Sequence, residues 1–244
     1  TEEYNGSSWS EQNDLNTARI GVAGAGTQTA GLAFGGRLAA PPTTFKDETE
    51  EYNGSSWSEQ NDLNTARINL AGCGTQTAGL GFGGEGSPGA DDETEEYNGS
   101  SWSEQNDLNT GRESICAAGT QTGAVGFGGY VAPGGASALT EEYDGSSWTT
   151  SNNMGTARYS LAGSGTQTAA VAFGGSPLTG ATEQYDGTSW TATTSMTTAR
   201  RQLASANASP STASLAFGGF STANVTSTEE FTGLSEPVRT FDVS

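Results

Sequence analysis

Residues 140–175 read TEEYDGSSWTTSNNMGTARYSLAGSGTQTAAVAFGG, and most of the remaining chain is a copy of this stretch. Copies begin at Thr1, Thr49, Thr94, Thr140 and Thr182, and a partial sixth begins at Thr228. A fixed period of 42 to 48 residues marks a repeat architecture, in which each unit buries its apolar surface against its neighbours. Residues 1–19 and 49–67 are identical, and 94–112 differ only at Gly111. Such identity points either to recent duplication or to deliberate construction.

Within the unit, four segments read as strands: Arg158–Gly163, Thr168–Phe173, Thr140–Tyr143 and a stretch around Trp148. Gly/Ser/Asn turns such as Gly163–Gly165 and Asp144–Ser147 separate them. Four short strands joined by tight turns form an antiparallel meander that is too small to be stable alone. Stacking several around an axis covers both faces of each, which gives a propeller.

The spacings describe one repeated geometry. Tyr precedes Trp by five residues in every full copy, from Tyr4/Trp9 to Tyr185/Trp190, and Trp precedes Arg by ten. From Arg to a Gly-Gly pair is sixteen residues in four copies and eighteen in the last, at Gly218. The Arg-to-Gly-Gly units number five, so five blades are expected. The expected fold is an all-β, five-bladed β-propeller of four-stranded antiparallel blades, one domain over residues 1–244. Outer-type strands outnumber the places for them, because Thr1–Trp9 and Thr228–Phe231 both qualify. The expectation is a ring closed by pairing of the chain termini in the last blade. The N-terminal pair would supply at least the Trp9 strand, since the tail has no Trp.

An apolar strand ending in Gly-Gly, followed by a Tyr, a Trp and an Arg that opens the next strand, resembles the kelch repeat. The resemblance implies four-stranded propeller blades and spans almost the whole chain. The unit departs from that pattern in being short and rich in Gly, Ala, Ser and Thr. The wording YDGSSW, TARYSLAGSGTQTA and FGG is also similar to repeat arrays of virion-associated proteins of marine phages, which implies a virion-associated or extracellular setting. Asp144-Gly-Ser-Ser-Trp148 has a fainter likeness to the Asp-box of sialidases, with Asp and Gly adjacent rather than one apart; that box is a structural turn.

Composition narrows the function classes. With 28 acidic against nine basic residues the net charge is −19, which repels nucleic-acid phosphates and favours a soluble monomer. No apolar run approaches the length of a membrane span. There is no histidine, which removes Ser-His-Asp chemistry and His-ligated metals. Adjacent Glu-Glu residues on a strand point to opposite faces and form no acid/base pair; only a pair assembled from different blades would serve. No cofactor, metal or catalytic residue is expected. Cys73 and Cys116 lie at unmatched offsets from their repeat Arg and read as small buried residues. The Trp residues read as core, each over a Gly-Gly pair.

Five of the nine basic residues recur at one position: Arg19, Arg67, Arg112, Arg158 and Arg200. These are the binding candidates, placed around the channel mouth to grip an acidic ligand. The competing reading pairs them with Glu50, Glu95, Glu141, Glu183 and Glu229. The segments of variable length (37–48, 85–93, 130–139, 176–181, 220–227) share the Arg face, where a glycan or protein ligand would bind. The overall expectation is a non-enzymatic binding or structural module. A reconstructed scaffold without a ligand is the alternative, and an enzyme on a propeller is the weaker one.

Overall fold

The structure is a computed structural model that describes residues 1–41, 44–87, 89–206, 209–233 and 239–241, the last three as backbone. The chain opens with β1 (Glu2–Tyr4) and β2 (Trp9–Glu11), which pair with each other. Blade 1 holds β3 (Ala23–Thr27), β4 (Ala30–Phe34), β5 (Thr49–Tyr52) and β6 (Trp57–Glu59). Blade 2 holds β7 (Ala71–Thr75), β8 (Ala78–Phe82), β9 (Thr94–Tyr97) and β10 (Trp102–Glu104). Blade 3 begins with β11 (Cys116–Thr120) and β12 (Gly123–Phe127). A small hairpin, β13 (Tyr130–Val131) and β14 (Gly135–Ala136), intervenes before β15 (Thr140–Tyr143) and β16 (Trp148–Ser151) complete it. Blade 4 holds β17 (Ala162–Thr166), β18 (Ala169–Phe173), β19 (Thr182–Tyr185) and β20 (Trp190–Thr193). Blade 5 holds β21 (Ala204–Ser205), β22 (Ser214–Phe217), β23 (Thr228–Phe231) and β24 (Arg239–Phe241). Every pairing is antiparallel, and the five complete blades form an all-β propeller.

The closure differs from the expectation. The C-terminal strand β24 completes blade 5, and β1–β2 stay outside it as a separate two-stranded sheet. Pairing to β23 needs only a backbone edge, so the missing Trp in the tail was no obstacle. The inner strand also starts later than the sequence suggested. Ser160 has φ 50, a left-handed conformation that stops strand formation between Arg158 and Leu161. The strand therefore runs through Gly163–Gly165, and the turn falls at Gln167–Thr168.

Packing between blades explains the small residues of the inner strands. A Cβ on Gly163 would lie 2.6 Å from Phe127 Cζ, so only glycine lets the next blade approach this ring. Each Trp reaches back one blade. Trp102 packs on Phe34 at 4.7 Å and Trp148 on Phe82 at 4.6 Å, and each also lies beside its own blade's Tyr. The rings are core, as expected, but lie on the preceding blade's Phe rather than over Gly-Gly. Indole Nε1 of Trp102, Trp148 and Trp190 donates to Thr49, Thr94 and Thr140 of the preceding blade, each at 2.9 Å. The Tyr hydroxyls follow the same rule: Tyr97 donates to Glu51 and Tyr143 to Glu96, both at 3.0 Å. Burial first, and then these carboxylates, push both phenols up. Cys73 and Cys116 are buried free thiols, raised to about 12 mainly by burial.

Candidate functional site

The five Arg candidates are not the site. Arg67, Arg112, Arg158 and Arg200 are fully buried and Arg19 nearly so. Each turns away from the axis into its own blade. Arg112 donates from Nη1 to Gly128 O at 2.7 Å and Leu139 O at 2.9 Å, and from Nη2 to Glu141 Oε1 at 2.8 Å. The other four repeat this: Arg19–Glu50, Arg67–Glu95 and Arg158–Glu183 at 2.8 Å, and Arg200–Glu229 at 2.7 Å. The second carboxylate oxygen is used as well, since Glu141 Oε2 accepts the Asn109 backbone N–H at 2.8 Å and its side-chain amide at 2.6 Å. Burial lowers the Arg112 and Arg158 pKa, and the Glu partner opposes the shift. Nε of Arg19, Arg67, Arg158 and Arg200 has no hydrogen-bond partner, but a guanidinium so enclosed is out of reach of a ligand. Breaking such a pair strands a buried charge and costs about 3–5 kcal/mol.

The mouth is built from the residues just after each Arg. The variable segments share this face, as expected, because the residue following each Arg bridges to the residue following each Gly-Gly: Ile20 to Arg37, Ile68 to Glu85, Glu113 to Tyr130, Tyr159 to Ser176 and Arg201 to Phe220. These are the positions where the copies differ most in chemistry. Tyr130 and Tyr159 meet edge to face at 5.3 Å, and Arg201 lies over Phe220 at 5.2 Å. Glu113 faces Glu85, and its carboxyl is raised by burial first and then by that neighbour.

One residue further on stand Gly21, Asn69, Ser114, Ser160 and Gln202, all with φ between 50 and 66. Their backbones form a chain of hydrogen bonds around the axis. Asn69 N–H donates to Gly21 O, Ser114 to Asn69 and Ser160 to Ser114 at 2.9 Å each, and Gln202 to Ser160 at 2.8 Å. With Arg37 they line a cavity of about 490 Å³ at the mouth, over an apolar collar that includes Leu70, Ile115 and Leu161. Arg37 Nε is buried without a hydrogen-bond partner, and no ion pair forms at this side chain among the described residues. Behind the collar the channel continues for about 770 Å³ between the Ala- and Gly-rich inner strands.

Sequence reasoning missed this ring. The available signal was variation: between an Arg and a Gly-Gly pair that recur in all five units, the second residue after Arg changes in nearly every copy. On the opposite face the Asp144 turn is structural. Its Oδ1 accepts the Ser146 and Ser147 N–H groups at 2.9 and 2.8 Å, and hydrogen bonds led by the Ser146 hydroxyl hold the carboxyl low. Among the described residues no group of three or more acidic or Cys side chains is placed to hold a metal.

No family model matches this chain, and no curated protein matches it. Its fold is similar to that of the solved structure of YjhT, with a TM-score of 0.80 at 11% identity, over 96% of this chain and 88% of that one. At that identity the likeness concerns the fold.

Proposed function

We propose that this propeller is a non-enzymatic binding module that holds a surface glycan at the channel mouth on the variable-loop face. Backbone strain at the ring is the observation that carries this reading. Ser114, Ser160 and Gln202 sit at φ 51, 50 and 53, where an ordinary L-residue costs about 1 kcal/mol or more. Gly21 shows that glycine fits the same position. Keeping strained polar side chains there calls for a use, and amide and hydroxyl groups around a concave mouth suit sugar hydroxyls. Arg37 adds a cation for a sugar carboxylate. The likeness of the repeat wording to virion-associated arrays supports a setting on a particle surface.

The test is a glycan array with the wild-type chain and with a variant carrying Asn69→Gly, Ser114→Gly, Ser160→Gly and Gln202→Gly. The variant should melt higher, because strain is relieved, and should lose glycan binding. A variant that binds as the wild type does, or a protein ligand captured through another face, would overturn the reading.

Glu85 and Glu113 favour a second reading. They are a carboxyl pair assembled from different blades, and one of them is held toward its protonated form, as a general acid would be. Hydrolysis of any arrayed glycan that is lost in Glu113→Gln would select it.

A further inference from the structure

On the face opposite the mouth, the turn after each repeat Tyr varies in one atom type. The first three copies carry Asn5-Gly6, Asn53-Gly54 and Asn98-Gly99, and the fourth and fifth carry Asp144-Gly145 and Asp186-Gly187. All five glycines have φ between 87 and 93, so the turn calls for a residue without a Cβ at this place. The same requirement leaves the amide nitrogen that follows each Asn unshielded. The N–H groups of Gly6, Gly54 and Gly99 make no hydrogen bond among the described residues, and the three Asn side chains are exposed to water.

The Asn carbonyl is held by converging donors. Asn53 Oδ1 accepts the Ser55 and Ser56 N–H groups at 3.0 Å each and the Ser55 hydroxyl at 2.9 Å. Asn98 Oδ1 accepts the Ser100 and Ser101 N–H groups at 2.9 and 3.0 Å, and Asn5 Oδ1 those of Ser7 and Ser8 at 2.9 Å each. The turn is pinned from outside its own repeat, since Asn13 Nδ2 donates to Ser55 O at 2.7 Å and Asn61 Nδ2 to Ser100 O at 2.6 Å. Fixed donors on one carbonyl oxygen stabilise the negative charge that builds there when its carbon is attacked. Asp144 and Asp186 show that the turn accepts a carboxylate in place of the amide. Asp186 Oδ1 takes the Thr188 and Ser189 N–H groups at 2.9 and 2.7 Å, as Asp144 takes those of Ser146 and Ser147. These hydrogen bonds, led by the Ser189 N–H, hold the Asp186 carboxyl low.

We propose that Asn5, Asn53 and Asn98 are sites of spontaneous deamidation in the folded chain, with water as co-reactant and ordinary Asp as product. At Asn53 the Gly54 nitrogen gives its proton to hydroxide and bonds to Cγ, while the carbonyl electron pair moves onto Oδ1, toward the Ser55 and Ser56 donors. The pair returns, the Cγ–Nδ2 bond breaks, and the nitrogen leaves as ammonia with a proton from water. Water then adds to Cγ of the cyclic imide, the new N–Cγ bond breaks, and a proton returns to the Gly54 nitrogen. Addition at the main-chain carbonyl would instead give isoaspartate, with one extra carbon in the backbone. That product would break the Tyr52–Trp57 pairing and the Asn13 bond to Ser55, whereas donors aimed at Oδ1 favour Cγ in both steps. Each event adds one negative charge to a chain that already carries −19.

The test incubates the full chain at mildly alkaline pH, folded in one arm and unfolded in urea in the other. Intact mass, peptide mapping and an isoaspartate-specific methyltransferase assay read both arms. The expected result is a gain of one mass unit at each of the three Asn-Gly pairs, faster in the folded arm. The product should be Asp in the folded arm and a mixture of Asp and isoaspartate in urea. Ser55→Ala, which removes one donor, should slow Asn53 about threefold or more relative to Asn98 in the same molecule. The chain carrying Asn53→Asp and Asn98→Asp should melt no lower than the wild type. Slower conversion in the folded arm, isoaspartate as the main folded-state product, a Ser55→Ala chain whose two sites keep their wild-type ratio, or a double variant that melts lower would each overturn the proposal.

Discussion

Thr94 and Thr182 occupy the same place in the third and fifth copies of the repeat, yet their hydroxyls differ in one respect. Thr94 Oγ1 accepts the indole N–H of Trp148, whereas Thr182 Oγ1 is buried with no partner. The donor is missing because the strand that would carry it, β24, contains no Trp. Replacing a paired hydroxyl strands its partner and costs about 1–3 kcal/mol, while replacing an orphan is close to neutral or stabilising. Thr94→Val should therefore lower the melting temperature and Thr182→Val should leave it level or raise it; equal losses in the two would contradict this assignment of donors. At this scale the ion pairs were legible, because Arg and Glu recur at fixed offsets and five clustered cations need counter-charges. The exposure of those Arg residues was not legible. Spacing sets the end of the blade at which a residue lies, but that it turns into its own sheet shows only in the acceptors that receive it, which for Arg158 are Gly174 O, Ala181 O and Glu183.

The segments after each Arg and after each Gly-Gly work as one element, a pair of short bridges that carries the variable side chains. Glu113 is the strained member. Burial, and then Glu85, raise its carboxyl above the ordinary value, so the folded chain holds this proton more tightly than the unfolded chain does. Its contribution to stability is present at acid pH and is lost as pH rises through the raised folded value. Glu113→Gln should thus matter little near pH 4 and should stabilise increasingly toward pH 8, read as the difference between the two melting curves across that range. A constant difference would place the effect in packing instead. The outer strands and turns were legible from Tyr, Trp and Asn-Gly or Asp-Gly signals. The inner strand was misplaced by four residues at its start, Arg158 against Ala162, because glycines between small residues read as a turn until the neighbouring Phe ring that requires them is in view.

At the scale of the molecule, the number of complete blades follows from the Arg-to-Gly-Gly units, since each such unit supplies the two inner strands of one four-stranded sheet. The closure depended on something the sequence carries only weakly: which of two outer-type segments reaches β23. The C-terminal strand takes that place, and the N-terminal hairpin bridges blades 5 and 1 instead. If that bridge helps close the ring, removing residues 1–18 should expose Trp57 and Phe217 and strip Tyr52 of its acceptor, while every complete blade keeps its four strands. Losing one aromatic contact, the Tyr52 and Trp57 hydrogen bonds and the bonds of Asn16 to Glu50 and Trp57 amounts to about 3 kcal/mol or more, a fall of roughly 10 °C for a chain of this size. Hydrogen exchange would locate the loss. Protection should drop first in β3–β6 and β21–β24, which border the hairpin, and persist in β7–β20, where each blade keeps both neighbours. An unchanged melting temperature would make the hairpin an appendage. A uniform loss over all five blades would mean that the ring unfolds as one cooperative unit, with the hairpin as its latch.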